Sequence, residues 1–327
     1  MGKTERIMLK ITLILLITAM GTACMGLPGT AKFNQPVYRV IDGRRMTLAE
    51  LTPILLAQRI IIVGEHHTNI AHHRAQLRVI QALREAGAQV AVGLEMFRNE
   101  SQADLDRWVD GRLTVSEFEK IYDDNWNYPW QAYRMIFEYA KDHRIPMIGL
   151  NVSRRITSQV ARKGFQSLSD KQRGKLSGIT CRVDEAYMDY IRRAYDAHVH
   201  GEMDFTHFCE AQLVWDTVMA INAVDYVEKN PEAIIVILCG AGHAQKRAIP
   251  RQIRNRSSFA HVVILPEIPA SFTIDTATAD VADYLLLVVG GADSQPKNLN
   301  PSPDLGRIQN GAPKTCTTKV ERFRVYQ

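Results

Sequence analysis

Residues 60–67 read Ile60-Ile61-Ile62-Val63-Gly64-Glu65-His66-His67. Four β-branched residues in succession leave no polar face for water, so the run predicts a strand buried on both sides, as in a parallel sheet covered by helices. Its polar end carries the second message. At the carboxyl edge of a parallel sheet the loops leave and helix N-termini direct partial positive charge, so ligands gather there. The same design recurs where Ile234-Ile235-Val236-Ile237-Leu238 runs into Gly240-Ala241-Gly242-His243.

Outward from these two strands, apolar runs of strand length at 59–64, 89–95, 144–151, 233–240 and 261–266 alternate with stretches of helical period, and 284–289 closes the series. The pattern predicts an α/β fold, a mainly parallel central sheet flanked by helices. Residues 70–86 read as a helix capped by Thr68 or Asn69 and stopped at Gly87, long enough for a right-handed crossover. Residues 152–178 are basic and polar, and 187–230 hold two or three long helices; together they predict a helical insertion that forms a lid. One domain is expected over 37–290. The Pro, Asn, Ser, Gly and Lys collected after Gly290 predict a flexible C-terminal extension over 291–327.

The 327 residues are 46% apolar and 23% charged, which excludes wholesale disorder. Lys and Arg number 40 against 35 acids, and a net charge of +5 is too small for nucleic-acid binding by bulk charge. Lys3, Arg6 and Lys10 precede an apolar run over 11–20, and Gly21-Thr22-Ala23 lead into Cys24, in the order of a signal peptide. The run is shorter than the roughly 20 residues a bilayer span needs. Met20-Gly21-Thr22-Ala23-Cys24 resembles a bacterial lipobox, with Gly21 where a bulky residue is usual. The expectation is a lipoprotein signal peptide over 1–23, acylation (palmitate) at Cys24 and a lipidated tether over 24–36. Two or more acyl chains hold a protein to a membrane at about 0.8 kcal/mol per buried methylene. The alternative is an ordinary cleaved signal that ends at a cysteine. Met25, in place of the Asp that resembles an inner-membrane retention signal, points to the outer membrane, facing the periplasm. Cys181, Cys209, Cys239 and Cys316 form no Cys-x-x-Cys, so no zinc knuckle or thioredoxin-type site is indicated.

Two Gly-x-x-His elements, Gly64 to His67 and Gly240 to His243, occupy matching positions after buried strands, with Glu65 and Glu95 on the same edge. Imidazole and carboxylate in such a set bind a divalent metal or polarise water. In a hydrolytic reading His67 and His243 hold the ion, while Glu65 or Glu95 completes the site or deprotonates water for peptide or ester cleavage. Each piece also has a structural reading. His66 faces solvent; His72 and His73 are hydrogen-bonded groups at a helix start; Glu95 joins a buried salt bridge; His243 neighbours a helix cap. No Gly-x-Ser-x-Gly nucleophile motif occurs, so a partner-binding scaffold with a structural His/Glu network stays open.

Gly64-Glu65-x-His67, His72-His73, Gln76, Gly93-Leu94-Glu95-Met96-Phe97, Asn151, Gln212, Asp216, Met219-Ala220 and Gly240-Ala241-Gly242-His243 together resemble the ChaN-type haem-binding lipoproteins of bacteria. Those belong to a superfamily with the Tiki and TraB proteins and distant erythromycin-esterase relatives. The likeness covers residues 35 to 290. It implies an α/β fold with its site at the strand ends, haem as cofactor, tyrosine ligation, pairing of two subunits, and a part in haem or iron uptake, with an outer-membrane haem receptor as a conceivable partner. Haem needs an apolar slot, an axial ligand and room for two propionates. Two segments could supply these. In 187–207, Tyr187, Tyr190 and His198 are the candidate haem ligands and Arg192-Arg193 the propionate partners; the other is the aromatic turn Trp126-Asn127-Tyr128-Pro129-Trp130 with Tyr133. For both, the alternative is aromatic packing against the sheet.

Overall fold

A computed structural model of the chain describes residues 33–174, 176, 179, 183–198, 204–269 and 271–287, the side chains of 186 and 193–198 excepted. The expectations for 1–23, for Cys24, for the tether up to residue 32, for 291–327 and for the side chain of His198 lie outside these residues. The strands are β1 (Pro36–Arg39), β2 (Arg45–Thr47), β3 (Ile60–Glu65), β4 (Gln89–Arg98), β5 (Met147–Asn151), β6 (Ala233–Gly240), β7 (His261–Pro266) and β8 (Tyr284–Leu286). They form one sheet in the order β2-β1-β8-β7-β3-β6-β4-β5. All neighbours from β8 to β5 are parallel, and only β1 runs antiparallel, to β8 and to β2. The fold is the expected α/β one.

Alternation along β3 explains why its sequence is apolar without a break. Ile61 and Val63 enter one core with Val92, Leu94, Val236 and Leu238, while Ile60 and Ile62 enter a second core with Ala91, Ile235, Ile237 and Cys239. Successive side chains of a strand point to opposite faces, so helices on both faces require apolar residues at every position. The first core is closed by α1 (Leu48–Leu56), α2 (Ile70–Glu85), α3 (Gln102–Val109), α4 (Val115–Asn125) and α5 (Trp130–Asp142). Thr47 and Glu50 form a capping box on α1, and the Asn69 side chain caps α2 by accepting from Ala71 N–H at 2.9 Å. Gly87, at φ 89°, makes the left-handed turn that sends the chain into β4.

Between β5 and β6 lie α6 (Arg154–Lys163), α7 (Asp170–Gly174), α8 (Glu185–His198) and α9 (Phe205–Lys229), and α10 (Ala241–Ala244) and α11 (Ile249–Arg254) follow β6. In this expected insertion, α9 is a crossover helix of the second core, burying Met219, Ala220, Ala223, Val224 and Val227. Both α9 and α8 reach the carboxyl edge: α9 brings Asp216 and Trp215 to His243, and α8 brings Tyr190, whose hydroxyl donates to the Gly242 carbonyl. The boundaries differ from expectation most at two strands. β5 begins at Met147 rather than Arg144, because Arg144 and Ile145 spend their N–H groups on the Lys141 and Ala140 carbonyls at the end of α5. β4 continues past Glu95 through the buried Met96 and Phe97 to Arg98. No helix among the described residues is long and apolar enough to cross a membrane.

Candidate functional site

β3 and β6 pair in a register that sets Ile60 opposite Ile235 and Glu65 opposite Gly240, so the two Gly-x-x-His elements leave the sheet side by side. Glu65, the last residue of β3, is 2% exposed. Its Oε1 accepts from His67 Nδ1 at 2.5 Å and from the Tyr133 hydroxyl at 3.0 Å, and its Oε2 from His73 Nε2 at 3.3 Å. Burial alone would push this carboxyl up; the His67 and His73 imidazoles outweigh it and hold Glu65 far below the usual carboxylate range. Burial likewise opposes the charged form of His67, but Glu65 and Glu95 prevail and raise its pKa. The Trp126 ring meets His67 edge-on at 5.2 Å and 87°, and Tyr128 lies 4.7 Å away. His67 in turn rests on Gly240, where any Cβ would fall 2.8 Å from its Cε1.

His243, in α10, has its own acid. Its Nδ1 lies 2.6 Å from Asp216 Oδ1 on α9, and Asp216 Oδ2 accepts from the Tyr187 hydroxyl of α8 at 2.7 Å. Trp215 meets the His243 ring edge-on at 5.7 Å and 88°. Burial would lower the His243 pKa, yet Glu95 and Asp216 carry it up to about 9. The Asp216 carboxyl stays above its ordinary value, because burial exceeds what His243 and Tyr187 return.

Glu95 joins the two centres. Its Oε2 accepts from Gly240 N–H at 2.7 Å, its Oε1 lies 3.7 Å from His243 Nε2, and its main-chain carbonyl accepts from Asn151 Nδ2 at 2.8 Å. His67, Glu65, Glu95 and His243 therefore converge on one edge of the sheet, and the segment singled out for haem meets them there through Tyr187 and Tyr190. The remaining histidines divide. His66 is exposed, and His72 accepts the His66 N–H on Nδ1 at 3.0 Å, a neutral ring whose pKa burial lowers to about 4. His73 belongs to the site. Gln76 ties α2 to the Val63 carbonyl at 3.0 Å.

The arrangement favours proton transfer. Each imidazole has its Nδ1 engaged by a carboxylate, which directs Nε2 elsewhere: His243 Nε2 towards Glu95, and His67 Nε2 against Gly240. Imidazoles held in one tautomer beside a buried acid are equipped for general acid and base chemistry. The divalent-metal centre expected from the same residues finds no such support. Among the described residues no group of three or more His, Cys, Asp or Glu stands where it could hold a metal ion. Trp215 escaped the sequence reading, with no signal to find it. Asp216 entered it only through the family resemblance, although it is the lone charged residue of the stretch 213–220, and Tyr133 entered only with the aromatic turn, not as a partner of Glu65. Cys239 is buried in β6 with its thiol pKa pushed well up by burial.

Residues 51–253 match the model of a family described as haem-binding uptake, Tiki superfamily, ChaN. Among solved structures, one described as cofacial heme binding to ChaN of Campylobacter jejuni shares the fold, with a TM-score of 0.63 at 19% identity, covering 78% of this chain and 97% of that one. Among curated proteins, the chloroplastic protein RETICULATA-RELATED 5 of Arabidopsis thaliana is 23% identical over 282 residues, 79% of this chain. The chain spans 37% of that protein's length.

Proposed function

Because the chain belongs to the ChaN family of the Tiki superfamily, we propose that it is a lipid-anchored haem-binding protein serving haem or iron uptake at the bacterial cell envelope. The observation that carries this reading is the family match across 51–253, which takes in the strand-end cluster and all of α8. The donor set of α8 fits haem. Tyr187 and Tyr190, with ring centroids 5.9 Å apart, stand in an apolar cluster with Ile191, Leu213, Phe205 and Phe208. The exposed Arg192 lies over the Phe205 ring at 4.4 Å, placed for a propionate. Tyr187 is 2% exposed and its hydroxyl is committed to the buried Asp216, whereas the half-buried Tyr190 would hold the iron by giving up its bond to the Gly242 carbonyl. Bound haem would supply a ferric centre suited to an anionic phenolate ligand; the chain supplies the apolar wall and the cation.

Haem titration tests this reading. Tyr190→Phe is expected to weaken binding and move the Soret band, whereas unchanged titration in both Tyr190→Phe and Tyr187→Phe would remove α8 as the site. The lipid anchor has its own test: labelled palmitate should enter the wild type and not Cys24→Ser, and the protein should sediment with the outer membrane.

One observation favours a second reading, hydrolysis of a peptide or ester bond: the two imidazole–carboxylate pairs flank a third acid, Glu95. Glu65, His67, Glu95 and His243 would be its catalytic residues. Stoichiometric zinc or manganese in active protein would make the hydrolysis metal-dependent, and activity that survives a chelator would assign it to the imidazoles alone.

A further inference from the structure

The two centres repeat one another in three parts, and His73 on Glu65 is an addition without a counterpart on Asp216. His67 and His243 each follow a Gly-x-x-His turn, and each has a carboxylate on Nδ1, at 2.5 and 2.6 Å. Each carboxylate holds a buried tyrosine hydroxyl, at 3.0 and 2.7 Å, and each imidazole meets the edge of a tryptophan, at 87° and 88°. The tyrosines come from helices far apart in the chain, Tyr133 from α5 and Tyr187 from α8, and neither lies in a strand-end motif.

We propose that Tyr133 and Tyr187 are matched positioning residues of a two-imidazole acid–base site, each fixing the carboxylate that keeps His67 or His243 in a single tautomer. The proposal rests on the hydrolytic reading. A carboxylate with one partner can turn about its own axis; further donors fix its plane, and with it the ring on Nδ1. On Asp216 that donor is Tyr187, and on Glu65 Tyr133 holds the same oxygen as His67 while His73 holds the other. Burial raises both phenols well above their ordinary pKa, so each stays protonated and keeps its proton for its carboxylate. Proton exchange is thereby left to the imidazoles. As the oxygen–carbon bond forms, one imidazole takes a proton from water on Nε2. As the scissile bond breaks, the other, as imidazolium, returns a proton to the leaving oxygen or nitrogen, so the protein's proton count is unchanged.

The test uses the full chain labelled with ¹⁵N, whose ring shifts report the tautomer of each imidazole, and p-nitrophenyl acetate as the ester probe. Tyr133→Phe should divide neutral His67 between tautomers and leave His243 alone; Tyr187→Phe should do the reverse. Each should lower kcat about tenfold, a part of what general acid–base catalysis contributes, with KM unchanged. A response in neither ring, or in both rings from either variant, overturns the proposal. Should a variant fold poorly, hydrogen exchange of the two phenol protons in the wild type decides: slow exchange at both supports the assignment, fast exchange overturns it. A tautomer response without ester hydrolysis removes the hydrolytic reading alone, and hydrolysis with unmoved rings removes the positioning role alone.

Discussion

His67 and His243 stand at the ends of neighbouring strands with the same kinds of partner, yet the chain supports them differently. The partners of His67 come from β3, α2 and α5, and Tyr133 belongs to the large first core with Trp108, Phe118, Tyr122, Trp130 and Phe137 around it. The partners of His243 come from the insertion between β5 and β6, where Tyr187 sits in a small separate cluster of four buried residues, with Ile191, Cys209 and Leu213. One centre is built wholly into the large first core; the other rests on α9, a helix of the second core, and on α8, whose own cluster is small. Elements with few buried apolar contacts open most readily, so the side of the site able to admit a large ligand is the His243 side.

The largest effect should come from breaking the built-in centre. Glu65→Ala leaves His67, His73 and the Tyr133 hydroxyl without their common acceptor, and removing one partner of a buried charged set costs about 3–5 kcal/mol. Asp216→Ala strips two groups instead of three, and His243, at 14% side-chain exposure, keeps Glu95 nearby. A loss of about 2 kcal/mol is expected there, with faster amide exchange confined to α8. Denaturant unfolding measures both. Equal losses, or global exchange in Asp216→Ala, would break the distinction between the two centres.

Gly240→Ala comes next and separates the centres along a single strand. Its Cβ would enter the space of the His67 ring, and overpacking of this kind costs about 1–3 kcal/mol. His67 should be displaced while the His243–Asp216 pair is kept. Two residues on, a Cβ at Gly242 would meet nothing within 4 Å, so Gly242→Ala should stay within about 0.5 kcal/mol of the wild type. Imidazole shifts in the two variants give the reading.

How far the sequence could be read follows the same division. β3 and β6 were legible because every residue of each is buried, and an unbroken apolar run of strand length, ended by glycine and a polar group, suits a strand covered on both faces. An acid ordinarily stops such a run, which in sequence sets Glu95 at the end of its strand; it sits inside β4 because Gly240 N–H and His243 receive it there. The β1–β2 hairpin, of four and three residues, is too short to carry a period. The pairings of Asp216 with His243, Tyr187 with Asp216 and Tyr133 with Glu65 join residues between 27 and 68 positions apart, and no local spacing encodes them. The aromatic turn packs as one of its two sequence readings allowed, and it also reaches the site. Trp130 packs in the core against Trp108 and Phe118, while Trp126 and Tyr128 wall the His67 ring.

The last effect expected is a slope with pH. The folded His243 pKa, about 9, lies above the roughly 6.5 of an unfolded histidine. Its contribution is therefore complete below about pH 6.5 and lost as the pH rises through about 9. Asp216, also raised, loses its share in a separate window that opens above the roughly 3.9 of an unfolded aspartate, which offsets part of the pair's gain at neutral pH. Glu65 behaves oppositely: with its folded value depressed, it contributes above the unfolded value near 4.3 and yields only in stronger acid. His67 is raised as well, so the wild type carries two alkaline losses and its slope alone cannot assign them. Asp216→Asn removes the charge beside His243 and leaves Glu65 beside His67. The fall in denaturation midpoint between pH 6 and pH 9.5 should shrink in that variant without vanishing. An unchanged fall would place the alkaline loss on His67 and on the Glu95–His243 contact, and the Asp216 pairing would then hold no proton that stabilises the fold.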